Sequence, residues 1–120
     1  MKAFFKGFIY AGQGWAAAWR GQRNIKVMAV IAVVAVALGF YLEITGQQWA
    51  LVCLCCGLVF SLEMLNTAGE KLIDILSPEH DPRYGQIKDI LAGAVLVAAL
   101  FSLLVGLLIF WPGLWGLWKG

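Results

Sequence analysis

Charged residues are scarce in this chain. Asp, Glu, Lys and Arg together make up 13% of its 120 residues, whereas soluble domains carry about 25%. Hydrophobic residues make up 62%. A globule of this length has too much surface relative to its volume to hide so much apolar area from water. The composition therefore favours a membrane protein. The formal net charge of +2 is too small to indicate a nucleic-acid partner.

The sequence also shows no disulfide or zinc framework, no secretory signal and no classical nucleotide-binding loop. The three cysteines, Cys53, Cys55 and Cys56, lie in one apolar run, which favours reduced thiols over a disulfide framework or a four-ligand zinc site. No secretory signal is visible, because the basic N-terminus is not followed by a continuous apolar stretch. No Gly-x-x-x-x-Gly-Lys-Ser/Thr loop occurs, so classical nucleotide-binding loops are excluded.

Long apolar segments dominate what is present. They predict three membrane-spanning helices over about residues 27–45, 48–76 and 86–111, the last of them stopped by Pro112. Before these segments, apolar residues recur every three or four positions over about residues 4–20, which predicts an amphipathic helix lying in the membrane surface. The fold class predicted for residues 1–120 is therefore a single-domain, all-α membrane protein.

The distribution of basic residues predicts the topology. Eight of the nine fall on one side, in the N-terminal segment or near the connection between the second and third spans. The positive-inside rule then places the N-terminus and residues 77–87 in the cytoplasm and the C-terminus outside. The tryptophans agree with this orientation, since they fall near the two predicted interfaces: Trp15 and Trp19 inside, and Trp49, Trp111, Trp115 and Trp118 outside.

The second span carries an acidic face. At 100° per residue, Glu63, Asn66, Glu70 and Asp74 share one side of the helix over about 16 Å. Acids inside a bilayer usually face a bundle interior and mark function. Carboxylates also suit Mg²⁺, and phosphoryl transfer requires positioning, charge neutralisation and a base for the attacking hydroxyl. We therefore expect Glu63 to meet a lipid hydroxyl and Glu70 to meet metal and nucleotide.

Simpler interpretations remain open for several of these residues. Asn66 is also explained by an interhelical hydrogen bond, and Asp74 by a solvated helix end. Lys88 opens the third span against the helix dipole, so it is either a phosphate-binding charge or an ordinary membrane-flanking lysine. Arg23 and Lys26 also suit inner-leaflet anchors.

Three stretches carry a resemblance to a known family. Residues 63–74, EMLNTAGEKLID, are similar to E-x-x-N-[ST]-A-x-E-x-x-x-D. Residues 88–96, KDILAGAVL, and residues 23–26, RNIK, also have counterparts. On these motifs the chain resembles the small prokaryotic integral-membrane diacylglycerol kinases, which include the undecaprenol kinases. The resemblance extends over about residues 4–110.

The resemblance implies an ATP- and Mg²⁺-dependent lipid kinase of the prokaryotic inner membrane. It also implies a homotrimer with sites between subunits at the cytoplasmic face. Carried over, Glu63 is the catalytic base and Glu70 a Mg²⁺ ligand, while Gln22 stands where the family often has a second metal-ligating Glu. The residues implied for the nucleotide and phosphate site are Gln22, Arg23, Asn66, Glu70, Asp74, Lys88 and Asp89. Those implied to contact substrate or to have a structural role are Asn66, Lys26 and Trp19.

The motifs favour undecaprenol over diacylglycerol as the lipid alcohol, because the RNIK segment and the GAVLV run of the third span are more similar to the undecaprenol kinases. Two alternatives come from other classes. Gln22 in place of a charged ligand suggests a catalytically weakened relative or membrane adaptor, and intramembrane acids also occur in proton-coupled transporters.

Overall fold

The computed structural model describes residues 1–21, 23–79 and 81–120, and of Arg23 it describes the backbone. These residues form α-helices joined by short connections. The helices are α1 (Lys2–Gly21), α2 (Arg23–Tyr41), α3 (Gly46–Leu76) and α4 (Pro82–Lys119). Three of them in the described part of the chain, α2 to α4, are long and apolar enough to cross a membrane. The prediction of an all-α chain with three such helices is confirmed.

The connection from α2 to α3 is a tight helix stop. The Ile44 N–H donates to the Gly39 carbonyl at 3.2 Å, and the Glu43 N–H donates to the Phe40 carbonyl at 3.3 Å. This pair of bonds is the Schellman pattern, which requires a left-handed residue at its centre. Glu43 occupies that position with φ of 52°, where glycine would be less strained. The turn ends α2 at Tyr41, earlier than the predicted boundary at residue 45.

The start of α3 is capped at once after this turn. Thr45 accepts a hydrogen bond from the Gln48 N–H, and the Gln48 side chain accepts one from the Thr45 N–H at 2.9 Å. This reciprocal pair is a capping box. Gly39 permits the return of the chain, because a Cβ at that position would lie 2.6 Å from the Trp49 indole.

A second cap begins α4 close to the end of α3. The Asp81 carboxylate accepts the Arg83 N–H at 2.9 Å, and Pro82 stands in the first turn, where its missing N–H costs nothing. These signals start the helix at Pro82, four residues before the predicted position. The helix then continues to Lys119 and does not end at Pro112, where the sequence predicted its end. A proline removes one backbone hydrogen bond and bends a helix. Membrane-spanning helices tolerate this, because neighbouring helices can satisfy the freed backbone group.

Packing is most extensive between α3 and α4. At the end near the α3–α4 connection, a Cβ on Gly69 would lie 2.5 Å from Leu91 Cδ1, so the glycine lets α4 approach α3 closely. At the other end a small core forms around Val52, Ile109 and Phe110. Many large apolar side chains remain exposed on α2, α3 and α4, as expected for surfaces that face lipid or another subunit.

The strained Schellman turn generates a stability prediction. Glu43→Gly should raise the free energy of unfolding by about 1 kcal/mol, because it removes the left-handed strain on a non-glycine residue. Thermal unfolding in detergent, followed by circular dichroism, should show a higher Tm. Gln47→Ala, a change at an exposed residue four positions further along the chain, serves as the control, and a lower Tm for Glu43→Gly would contradict the assignment of strain.

Candidate active site

The site centres on a carboxylate buried between two helices. Glu63 lies on α3 after an apolar stretch over residues 49–62, and it is only 1% exposed. Asn24, in the first turn of α2, donates a hydrogen bond from Nδ2 to Glu63 Oε2 at 3.3 Å. A buried carboxylate is costly unless a donor or a charge compensates it. The amide of Asn24 is therefore part of what allows an acid at this depth.

Thr67 stands one turn further along the same face. Its hydroxyl is buried and donates to the Glu63 backbone carbonyl at 2.9 Å. This bond from residue i to the carbonyl of residue i−4 satisfies the hydroxyl inside its own helix. Thr67 therefore contacts the backbone of Glu63 and not its carboxylate, and its hydroxyl proton is already used in that hydrogen bond.

Asn66 is the second buried polar residue of this face. It is 8% exposed, and its Oδ1 atom has no hydrogen-bond partner among the residues that the structure describes. Leaving a buried acceptor unsatisfied costs about 1–3 kcal/mol. The interhelical hydrogen bond that would explain Asn66 without chemistry is not made by Oδ1 within these residues. A hydroxyl, a water molecule or a cation would satisfy that oxygen.

Opposite charges meet where α3 ends and α4 begins. The Lys88 ammonium contacts the Asp74 carboxylate at 2.6 Å, and both groups are substantially exposed. Glu70 lies one turn before Asp74 and is half-buried, while Asp89 is exposed beside Lys88. The close approach of α4 at Gly69 places Lys88 beside the acidic face of α3. About 16 Å of helix separates this charged end from Glu63.

The junction of α1 and α2 brings two more predicted residues together. The Lys26 ammonium lies 5.9 Å from the centroid of the Trp19 ring, within range of a cation–π interaction. Both residues are exposed, as membrane-surface residues would be. Of the other predicted site residues, Gln22 and the side chain of Arg23 lie outside the described residues.

The arrangement of acids decides which kind of metal site is possible. Within residues 1–21, 23–79 and 81–120, no three His, Cys, Asp or Glu side chains cluster as a protein-only metal cage would require. Mg²⁺ commonly takes one or two carboxylates and completes its shell with phosphate oxygens and water. Glu70 is a half-buried carboxylate of this kind, one turn from Asp74. The donor set therefore fits Mg²⁺ that arrives with a nucleotide.

An apolar groove of about 540 Å³ runs between α2, α3 and α4. Its lining includes Met28 on α2 and Phe60 on α3, which lie about one turn from Asn24 and Glu63 respectively. From there the groove continues to Trp111 and Leu114 on α4. Glu63 thus lies near one end of the apolar groove.

Sequence reasoning missed the part that Asn24 plays. The residue belongs to the RNIK motif, yet it was not among the predicted site residues. A usable signal was present, since Asn24 is a neutral polar residue between the basic residues Arg23 and Lys26, at the start of a helix that is apolar from Val27 onward. Its contact with Glu63 joins positions 39 residues apart, which periodicity within one helix does not reveal.

Comparison with known proteins places the chain among enzymes. The family model of prokaryotic diacylglycerol kinase matches residues 9–110. An undecaprenol kinase from Bacillus subtilis is 42% identical over 115 residues, which covers 95% of this chain and 93% of that protein. A diacylglycerol kinase from Helicobacter pylori is 29% identical and covers 96% and 83%, and one from Escherichia coli is 26% identical and covers 85% and 84%. With a family match over most of its length, the chain belongs to the prokaryotic diacylglycerol kinase family and is a lipid kinase.

Proposed function

We propose that this lipid kinase transfers the γ-phosphoryl group of ATP to undecaprenol, with Mg²⁺, at the cytoplasmic end of α3. The observation that carries the proposal is a buried, hydrogen-bonded carboxylate on the same helix face as the charged residues near the α3–α4 connection. The buried carboxylate suits an apolar alcohol inside the membrane. The charged residues suit a nucleotide at the membrane surface. Residues 1–120 then act as one membrane-embedded kinase domain.

Glu63 is the proposed general base. Its carboxylate accepts the proton of the lipid hydroxyl while the hydroxyl oxygen forms a bond to the γ-phosphorus. The bond from that phosphorus to the β,γ-bridging oxygen breaks, and ADP leaves. A base of this type contributes about 10²–10⁴ to the rate. Burial of Glu63 supports the role, because a dry site favours transfer to the lipid alcohol over transfer to water.

The charged end of α3 and α4 is the proposed nucleotide site. Lys88 would exchange its contact with Asp74 for a phosphate oxygen, acting as a point charge. Asp89, which is exposed beside Lys88, is a further proposed residue of this site, and the family resemblance adds Arg23. Glu70, with Gln22 as a neutral second ligand, would hold Mg²⁺, which neutralises charge on the transferring phosphoryl group when it is bound. Asn66 lies on the same face of α3, and its Oδ1 atom, which has no hydrogen-bond partner among the described residues, is a further proposed contact.

Two observations support undecaprenol as the lipid. The relative from Bacillus subtilis, at 42% identity, is named for that substrate, whereas the relatives of 26–29% identity cited above are named for diacylglycerol. The apolar groove also begins about one turn from Glu63 and offers a long hydrocarbon chain a path toward the far end of α4. Lys26 and Trp19 would flank the lipid at the surface, where aromatic and basic side chains favour the interface.

The proposed assembly is a homotrimer in a prokaryotic inner membrane. Three spanning helices per chain are too few to enclose both a lipid and a nucleotide, which supports a site shared between subunits. Basic residues concentrate in the N-terminal segment and near the α3–α4 connection, so both would face the cytoplasm, with α1 lying on the membrane surface and the C-terminus outside.

The first prediction concerns the base. Glu63→Gln should lower kcat by about 10²–10⁴ and leave KM for ATP nearly unchanged, because the amide keeps the shape but accepts no proton. The assay measures labelled phosphate transferred to lipid by the full-length protein in lipid-supplemented detergent. Glu79→Gln, at an exposed loop acid, is the matched control. A Glu63→Gln protein with full activity would refute the role.

The second prediction concerns the lipid. The wild-type protein should show a kcat/KM for undecaprenol at least about tenfold above that for diacylglycerol, presented at equal mole fractions. Preference for diacylglycerol would contradict the substrate proposal and leave the kinase intact. ATP binding without transfer to either lipid would instead identify a catalytically silent relative, and proton-coupled flux without transfer would identify a transporter.

The third prediction separates the two interpretations of Lys88. Lys88→Asp combined with Asp74→Lys restores an ion pair between α3 and α4 with its charges exchanged. If Lys88 binds phosphate, this protein should unfold at nearly the wild-type temperature and have a KM for ATP raised at least about tenfold. A normal KM for ATP in the exchanged protein would show that the pair serves packing only.

A further inference from the structure

The hydrogen bond between Asn24 and Glu63 has a consequence for catalysis beyond the burial of an acid. We infer that Asn24 is a positioning residue that holds the Glu63 carboxylate in the orientation required to accept the lipid proton. The inference rests on the proposed role of Glu63 as the base. It gives a residue of α2 a part in catalysis, although the base itself lies on α3.

The geometry assigns different tasks to the two oxygens of Glu63. Asn24 Nδ2 donates to Oε2 at 3.3 Å. A carboxylate held at one oxygen cannot rotate freely about its terminal bond, so the other oxygen, Oε1, keeps a defined direction. Proton transfer requires the acceptor within hydrogen-bond reach of the hydroxyl. Small misplacements of reacting groups are costly, and about 1 Å can lower a rate by about 10²-fold.

Asn24 is itself held in a defined place. Its neighbour Ile25 is completely buried, which anchors the first turn of α2 against the other helices. Glu63 is buried with it, and the Thr67 hydroxyl bonds to the Glu63 carbonyl one turn away. The amide of Asn24, by contrast, belongs to an exposed residue at the edge of the pair. Asn24 therefore contacts the carboxylate from the first turn of α2, about one turn before Met28, which lines the apolar groove.

A merely structural role for this hydrogen bond makes different predictions. Interhelical hydrogen bonds in membrane proteins contribute modestly to stability, so the loss of one would leave the fold nearly intact. If the bond served only the fold, its loss would lower the fraction of folded enzyme, and the rate would fall by the same factor whether or not Glu63 is present. Positioning of the base instead predicts a loss confined to kcat. It also predicts that the loss disappears when Glu63 can no longer act as a base.

The experiment is a double-mutant cycle on the full-length protein. Asn24→Leu keeps the side-chain size and removes the donor. We expect kcat for phosphate transfer to undecaprenol to fall about 10–100-fold, with KM for ATP and for lipid changed less than about threefold. In a Glu63→Gln background, measured by single-turnover transfer of labelled phosphate, the same substitution should change the rate less than about twofold.

Two further variants complete the test. Asn24→Ser keeps a hydrogen-bond donor and should recover part of the lost kcat, whereas Gln47→Ala, which removes an exposed amide from the opposite end of α3, should have no effect. Equal rate losses from Asn24→Leu in both Glu63 backgrounds would overturn the inference, as would a raised KM with unchanged kcat. Wild-type protein that phosphorylates no lipid would overturn the proposed function itself, which distinguishes the two failures.

Discussion

A carboxylate that cannot reach water constrains this protein more than any other group. Glu63 sits after a full apolar stretch of α3 and is almost completely buried, so its charge must be compensated by neighbouring groups. The Asn24 amide supplies one donor from a different helix. The same hydrogen bond therefore links α2 to α3 and compensates the buried acid.

Polarity divides α3 into an apolar part and a charged part. Residues 49–62 contain no charged side chain and match a hydrocarbon interior, while Glu63, Glu70 and Asp74 follow at spacings that return to one face. Under the proposed function, α3 presents an apolar wall to the lipid chain, then Glu63, and about 16 Å beyond Glu63 the carboxylate of Asp74 at the nucleotide end. In that proposal the nucleotide is bound without a Gly-x-x-x-x-Gly-Lys-Ser/Thr loop, which the sequence lacks.

The connections determine which residues of the neighbouring helices meet this face. The Schellman turn and capping box bring α3 back against α2 after only a few residues, and this sets the depth of Asn24 relative to Glu63. At the other end, the Asp81 cap starts α4 early, and Gly69 admits Leu91. Lys88 then reaches Asp74. Gly69 is accordingly a packing residue, since the Leu91 side chain of α4 fills the space that a Cβ at position 69 would occupy.

Much of this protein was predictable from its sequence, because hydrophobic runs, helical periodicity and the acid spacing along α3 are properties of single segments. These predicted the helices and placed Glu63, Asn66, Glu70 and Asp74 on one face. Helix ends were less predictable, as the passage of α4 through Pro112 shows, since neighbouring helices can compensate a lost backbone bond. Only the tertiary structure paired Asn24 with Glu63 and Lys88 with Asp74, because those contacts depend on turn geometry and interhelical distance, which no periodicity within one helix encodes.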